Sequence, residues 1–203
     1  MSGNKKGENM ISSKIARILV TILLLSTVAC TSNKDTIKIG SILILTSDGA
    51  GWGIATRNGI DIAVDEINAE DGILGKKIVV IHEDDGSDPK RALSAFQKLS
   101  EIDQVTAIIG TTWSHTGLPL VELADQKKSI MISPSLGLKE FNEGSKYLFN
   151  LWPHDELLSE ELAKIVYSKG HRTVIIFGAQ QIWVKDQTAA FKRKFEELGG
   201  KVQ

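Results

Sequence analysis

Residues 105–119 read VTAIIGTTWSHTGLP: a short apolar run, a loop carrying hydroxyls, an indole and an imidazole, then the start of a new element. VTAIIG (Val105 to Gly110) has the near-continuous hydrophobicity of a strand covered on both faces. The same unit recurs outward along the chain. IKIGSILIL (Ile37 to Leu45) is a second such strand, and after it Ile60, Ala63, Val64 and Ile67 fall at i, i+3, i+4 and i+7, one face of a helix. KIVVIHE (Lys77 to Glu83) is the next strand, followed by Asp88-Pro89, an N-cap and first-turn proline, and a helix whose buried stripe is Ala92, Ala95, Phe96 and Leu99. Beyond the opening loop the spacing predicts a helix from about Ser114 to Gln126, then the strand SIMIS (Ser129 to Ser133), stopped by Pro134.

YLFNL follows near 147–151. After Pro153 the alternation restarts: a helix with Leu158, Leu162, Ile165 and Val166, the strand TVIIF (Thr173 to Phe177), and a helix with Phe191, Phe195 and Leu198. Strands alternating with helices at this spacing predict an α/β protein with parallel sheets and right-handed crossovers. Ligands of such sheets bind beyond the C-terminal strand ends. The loops that matter are therefore 46–53, 84–88, 111–114, 134–138 and 178–183. The pattern stops in mid-alternation at GGKVQ, so the sequence reads as the first part of something longer, with its second domain too small for a core of its own.

The N-terminal segment differs in kind. Lys5, Lys6, Lys14 and Arg17 precede ILVTILLL (Ile18 to Leu25), and small residues lead to Cys30, the only cysteine. A basic start, a short apolar core and small residues before a cut describe an export signal, with Met1 or Met10 as the start. A largely apolar run of eight residues is too short to span a bilayer, which takes about 20. Thr27-Val28-Ala29-Cys30 resembles a bacterial lipobox, in which the cysteine is lipidated and becomes the mature N-terminus. The expected organisation is a signal peptide at 1–30, a tether at 31–35, a first lobe at 36–150 and the start of a second lobe at 151–203. A net charge of −1 with no basic stripe argues against nucleic acid as a partner.

Catalytic patterns fail on spacing. The loop SDGAGWG (Ser47 to Gly53) lacks the third glycine of a dinucleotide fingerprint, because Ile54 stands in its place. Ser114-His115 invites a nucleophile and base, but Thr112 and Thr116 occupy the glycine positions of a nucleophile elbow. Ser114 reads instead as a helix N-cap with His115 solvated. His82, His154 and His171 are scattered, and Glu83-Asp84-Asp85 reads as a solvated acidic loop, so no metal and no cofactor is expected. Binding is the alternative to catalysis. Hydroxyls and helix N-terminal amides can receive a carboxylate or other polar group, and Trp52, Trp113 and Trp183 fall in loops at the same rim. Aromatic walls with a few placed polar groups describe a small-molecule pocket.

IKIGSILILTSDGAGWG, GIDIAVDEINAEDGILGKKIVVIHEDDGSDPKRALSAFQKL, VTAIIGTTWS and SIMISPS together resemble the branched-chain amino acid (Leu/Ile/Val) binding proteins of ABC transporters, which are type I periplasmic binding proteins. The resemblance runs from about Ile37 to the end. It implies two doubly wound parallel-sheet domains, the second incomplete here, with ligand held between them and closure about a hinge at Leu151 to His154.

The resemblance also implies site residues. Trp52, followed by Gly53, takes the place of an aromatic wall; Ser114 is the serine for the ligand's charged groups, with Trp113 beside it. Where the family often reads S-P-x-x-T/S, this chain reads Ser133-Pro134-Ser135-Leu136-Gly137, so the hydroxyl is missing at Gly137 unless Ser135 replaces it. Trp183 takes the place of the second domain's aromatic, although Val184 follows where glycine is usual. The implied function is a monomeric, lipid-anchored, extracytoplasmic receptor that hands an amino acid-like solute to the permease of an ABC importer. The lost hydroxyl puts an α-amino acid in doubt, and the shortened second domain implies weak binding or none by these 203 residues. The alternatives are a sensory module of the same fold and, behind it, an α/β hydrolase or nucleotide-dependent enzyme.

Overall fold

The computed structural model describes residues 36–203; the expected signal peptide, Cys30 and the expected tether lie outside the described residues. Five strands, β1 (Thr36–Leu43), β2 (Lys77–Asp84), β3 (Ala107–Gly110), β4 (Ile130–Ser133) and β5 (Leu148–Asn150), form one sheet in the order β2-β1-β3-β4-β5. β1 pairs parallel with β3, β3 with β4 and β4 with β5, in a register that sets Ile39 beside Ala107 and Met131 beside Leu148. Winding in one direction from β1 to β2 and in the other from β3 to β5 leaves a crevice at the carboxyl ends of β1 and β3. The intervening helices are α1 (Ala50–Ala69), α2 (Pro89–Gln97), α3 (Ser114–Gly117) and α4 (Val121–Lys127).

The core lies between this sheet and its helices. Ile42, Ile108, Met131 and Leu148 from four strands meet Phe96, Leu99, Leu120 and Phe141. α2 forms as expected: the Asp88 carboxylate accepts from the Lys90 amide at 2.7 Å, Pro89 opens the helix, and Ala92, Ala95 and Phe96 are buried. α1 forms too, but of its expected stripe Ile60 alone is buried; Val64 is half-covered, and Ala63 and Ile67 are exposed.

Several boundaries differ from the sequence reading, each for a physical reason. The single helix expected from Ser114 to Gln126 is broken into α3, a tight turn at Leu118–Leu120, and α4. Pro119 stands in that turn, where it has no amide to donate and its ring crowds the preceding turn. The chain then continues into α5 (Asp155–Ser168), β6 (Thr173–Val174), α6 (Ile182–Glu197) and β7 (Lys201–Val202). The expected strand Thr173 to Phe177 is ordered as β6 only as far as Val174, because parallel β7 offers partners at Lys201 and Val202 alone.

α5 is amphipathic, but the face it buries is Asp155, Ser159 and Ala163, where it packs on α6. Leu158, Leu162 and Ile165, expected inside, are exposed, as are Ile175 and Phe177. α6 covers the small-residue face, and among the described residues the two-stranded sheet β6-β7 leaves the leucine face open. On α6, Phe195 is buried as expected and stacks on Phe191.

The acidic loop is not solvated. Asp84 Oδ1 accepts from the amides of Leu45, Thr46 and Gly86 at 2.9, 3.2 and 2.9 Å, and Oδ2 accepts from Thr46 Oγ1 at 2.7 Å and Arg91 Nη2 at 2.8 Å. This carboxylate ties the exits of β1 and β2 together. Burial opposes its charge, yet the Thr46 hydroxyl, the Leu45 and Gly86 amides and Arg91 outweigh it, and the pKa falls from 3.8 to about 2. Asp85 is fully buried, accepts from the Ser87 amide at 2.8 Å, and is pushed upward chiefly by burial.

A lowered folded-state pKa for Asp84 means the unfolded chain binds its proton first as pH falls. Its stabilisation is complete above the unfolded value and is lost as pH falls from 3.8 through about 2. With the side chain about one-fifth exposed, the contribution is about 1–2 kcal/mol. Urea unfolding across that window is expected to give a flatter pH profile for Asp84→Asn than for the native chain. Parallel profiles would contradict this role.

Candidate functional site

A cleft of about 220 Å³ opens at the carboxyl ends of the sheet. Its wall includes all six residues singled out from the sequence: Trp52, Trp113, Ser114, Ser135, Gly137 and Trp183. Thr112, Trp152, Asp155, Gln181 and Gln187 complete it. Trp52 and Trp183 do not lie in loops, as expected, but in the first turns of α1 and α6.

The placement of each follows from local packing. α1 can start close to the end of β1 because Gly53 carries no side chain; a Cβ there would lie 1.8 Å from the Ile44 carbonyl oxygen. That approach fixes Trp52 at the rim. Trp113, in extended conformation, is the N-cap of α3, so Ser114 is its first residue and not its cap. The Trp113 carbonyl accepts from Thr111 Oγ1 at 2.9 Å, Thr116 Oγ1 at 3.0 Å and the Gly117 amide at 3.0 Å. Two of the loop's hydroxyls are thus spent on its own backbone. α3 is also only one turn long, which removes the expected helix-terminus receptor for a carboxylate.

Ser133 Oγ donates to the Thr111 carbonyl at 2.8 Å, and Ser135 Oγ donates to the Thr112 carbonyl at 2.7 Å. These bonds lock the loops after β3 and β4 to each other. Thr112 is 1% exposed and its Oγ1 has no partner. An unpaired buried hydroxyl costs roughly 1–3 kcal/mol; Thr112 lines the cleft, but its Oγ1 lies beneath the surface, where a solute reaches it only with a turn of that side chain. In the sequence this threonine counted among the loop's hydroxyls and stood where a nucleophile elbow needs glycine, with nothing to mark it out from Thr111.

The hydroxyl missing at Gly137 has a structural counterpart. A Cβ on Gly137 would lie 2.4 Å from Asp155 Cγ and 2.5 Å from both carboxylate oxygens. Asp155 fills the space a side chain at 137 would need. Its amide donates to the Gly137 carbonyl at 2.8 Å, and its Oδ1 accepts from Gln187 Nε2 at 3.0 Å. Asp155 is nearly buried and, among the described residues, is the only charged one of the cleft wall. It was not foreseen, because the contact joins the first turn of α5 to a loop eighteen positions earlier.

The catalytic alternatives fare no better in three dimensions. His115 is half-buried, not solvated; its Nε2 lies 2.8 Å from Ser87 Oγ and 3.1 Å from the Ser87 carbonyl, so the ring is tied to the loop before α2. A Ser–His–Asp chain does exist elsewhere: Ser41 Oγ is 2.7 Å from His82 Nδ1, and His82 Nε2 is 2.9 Å from Asp61. Ser41 is fully buried within β1, where no substrate carbonyl can reach it. Among the described residues no cluster of three His, Cys, Asp or Glu could hold a metal ion.

Comparison with known proteins places this cleft in context. The family model described as periplasmic binding protein matches residues 36–203. The Leu/Ile/Val-binding protein BraC3 of Rhizobium johnstonii is 31% identical over 143 residues, covering 69% of this chain and 39% of that protein. The branched-chain amino acid transporter substrate binding protein LivJ of Streptococcus pneumoniae, solved with isoleucine, superposes with a TM-score of 0.76 at 28% identity, covering 82% of this chain and 48% of that one. A solute binding protein of an ABC transporter from Rhodopseudomonas palustris BisB5, solved with 3,4-dihydroxy benzoic acid, gives a TM-score of 0.77 at 27% identity, with coverages of 83% and 46%. The chain thus spans half or less of the length of these relatives. By its sheet topology, its crevice and the match across every described residue, the chain belongs to the periplasmic binding protein family of solute-binding proteins, not enzymes.

Proposed function

We propose that this chain forms the receptor part of an ABC importer and binds an amino acid or related small polar solute at the cleft. The observation that carries the reading is one cleft wall that gathers Thr112, Ser114 and four tryptophans from five separate strand exits and helix starts. A volume of about 220 Å³ is below the ~300 Å³ at which drug-sized pockets begin, which suits a small solute. Ser114 and Thr112 take the solute's polar end, and Trp52, Trp113 and Trp183 enclose its body. The first lobe spans 36–150 and the second begins at 151, with Leu151 to His154 as the hinge between them. Cys30 carries the lipid that holds this monomeric receptor at the extracytoplasmic membrane face, within reach of its permease.

Two variants test the reading. Calorimetric titration with leucine, isoleucine, valine and 4-hydroxybenzoate at millimolar concentration is expected to show weak binding of at least one. Ser114→Trp, which fills the cleft, is expected to abolish that heat while the far-ultraviolet spectrum stays unchanged. A panel that binds equally to both proteins would remove the site from the cleft. Cells expressing Cys30→Ser are expected to incorporate no labelled palmitate into the protein; unchanged labelling would refute the anchor.

A further inference from the structure

The Gly137–Asp155 exchange narrows the class of solute, and this inference rests on the receptor reading above. We propose that the cleft recognises a small organic cation whose nitrogen carries no N–H group, with Asp155 as counter-ion and the four indoles as its enclosure.

Three observations converge on this. First, the glycine at 137 leaves its space to a carboxylate that belongs to the cleft wall, and no basic residue lies in that wall to neutralise it. Gln187 engages Oδ1 alone. A nearly buried carboxylate facing a cleft without a cationic neighbour gains most from a positive ligand. Second, all four tryptophans of the chain, Trp52, Trp113, Trp152 and Trp183, line the same cleft. Indole is the best aromatic partner for a cation, and cages of such rings are a recurrent device for substituted ammonium groups.

Third, the wall is mostly apolar. A primary ammonium brings three donors and needs three acceptors, whereas indole nitrogen is a donor only. The four indoles therefore offer such a group no acceptor on the surfaces that would enclose it. A methylated ammonium asks for no acceptors and loses nothing against indole surface. Its polar tail then meets the unpartnered Thr112 hydroxyl and Ser114.

The probe is choline chloride, set against its uncharged isostere 3,3-dimethyl-1-butanol, leucine and 4-hydroxybenzoate, all titrated calorimetrically into the full 203-residue chain. Choline is expected to bind about tenfold more tightly than the isostere, in line with a desolvated cation–π and charge contribution. It is also expected to bind more tightly than leucine. Asp155→Asn is expected to lower choline affinity about tenfold. If that variant fails to fold, the choline-to-isostere ratio on the native chain decides alone. Equal affinity for choline and its isostere overturns the proposal. Leucine or 4-hydroxybenzoate bound more tightly than choline, with the heat lost in Ser114→Trp, overturns the cation assignment and leaves the receptor reading standing. Absence of any binding overturns both.

Discussion

Gly53→Ala is expected to cost the chain a large share of its stability. The new methyl carbon would lie 1.8 Å from the Ile44 carbonyl oxygen and 2.5 Å from its carbon, and both are backbone atoms. Ile44 is fully buried, and the residue after it is held by Asp84, so the strand end has nowhere to retreat. Moving α1 outward instead would uncover Ile60 and displace Trp52. Overpacking of side chains costs roughly 1–3 kcal/mol; a backbone collision of this depth is expected to cost more than about 4 kcal/mol, a large share of a domain's ~5–15 kcal/mol. Gly51→Ala, one helical position pair earlier, is the control: its Cβ would meet nothing within 4 Å. It is expected to stabilise α1 by about 0.5–1 kcal/mol. Urea titration followed by circular dichroism measures both, and similar midpoints for the two variants would contradict the packing described.

The second large effect is a coupling. Gly137→Ser places a Cβ within 2.5 Å of the Asp155 carboxylate, which is fixed by Gln187 and by the bond between the Asp155 amide and the Gly137 carbonyl. The single variant is expected to lose about 3 kcal/mol. Asp155→Ala removes the obstruction but strands Gln187, at about 1–2 kcal/mol. The double variant is expected to be less destabilised than the sum of the singles by at least about 1 kcal/mol, because one space is being contested by two side chains. Additive losses in the urea midpoints would show that the two positions do not compete.

Much of this molecule is readable from local pattern. Buried strands such as β1 and β3 announce themselves by unbroken hydrophobicity, and Asp88-Pro89 announces α2. Trp52 and Ser114 were read from loops beyond strand ends that face the crevice, whereas Ser135 followed from the family resemblance; all three line the cleft. Pro119 was visible too, and its break in the helix could have been foreseen. The leucine stripe of α5 shows amphipathicity but not which face finds a partner, since that depends on elements far along the chain. Asp155 and Gln187 are 32 positions apart and meet only through the packing of α5 on α6. Asp84 and Asp85 look like ordinary surface acids until the amides of Leu45, Thr46, Gly86 and Ser87 turn toward them.

The gathering of every tryptophan into one cleft also determines what light reports about this protein. Excited at the red edge of the aromatic band, where Tyr147 and Tyr167 do not absorb, the chain emits from the cleft alone. Trp52 and Trp152 are 64% and 45% exposed, so that emission is already that of water-facing indole. A solute that dries the cleft will move the spectrum to the blue without any label. The same property biases a melt: fluorescence follows the loss of the cleft, while circular dichroism follows the sheet and helices. Two non-coincident transitions would mean that the binding face loosens before the β1–β3 core does.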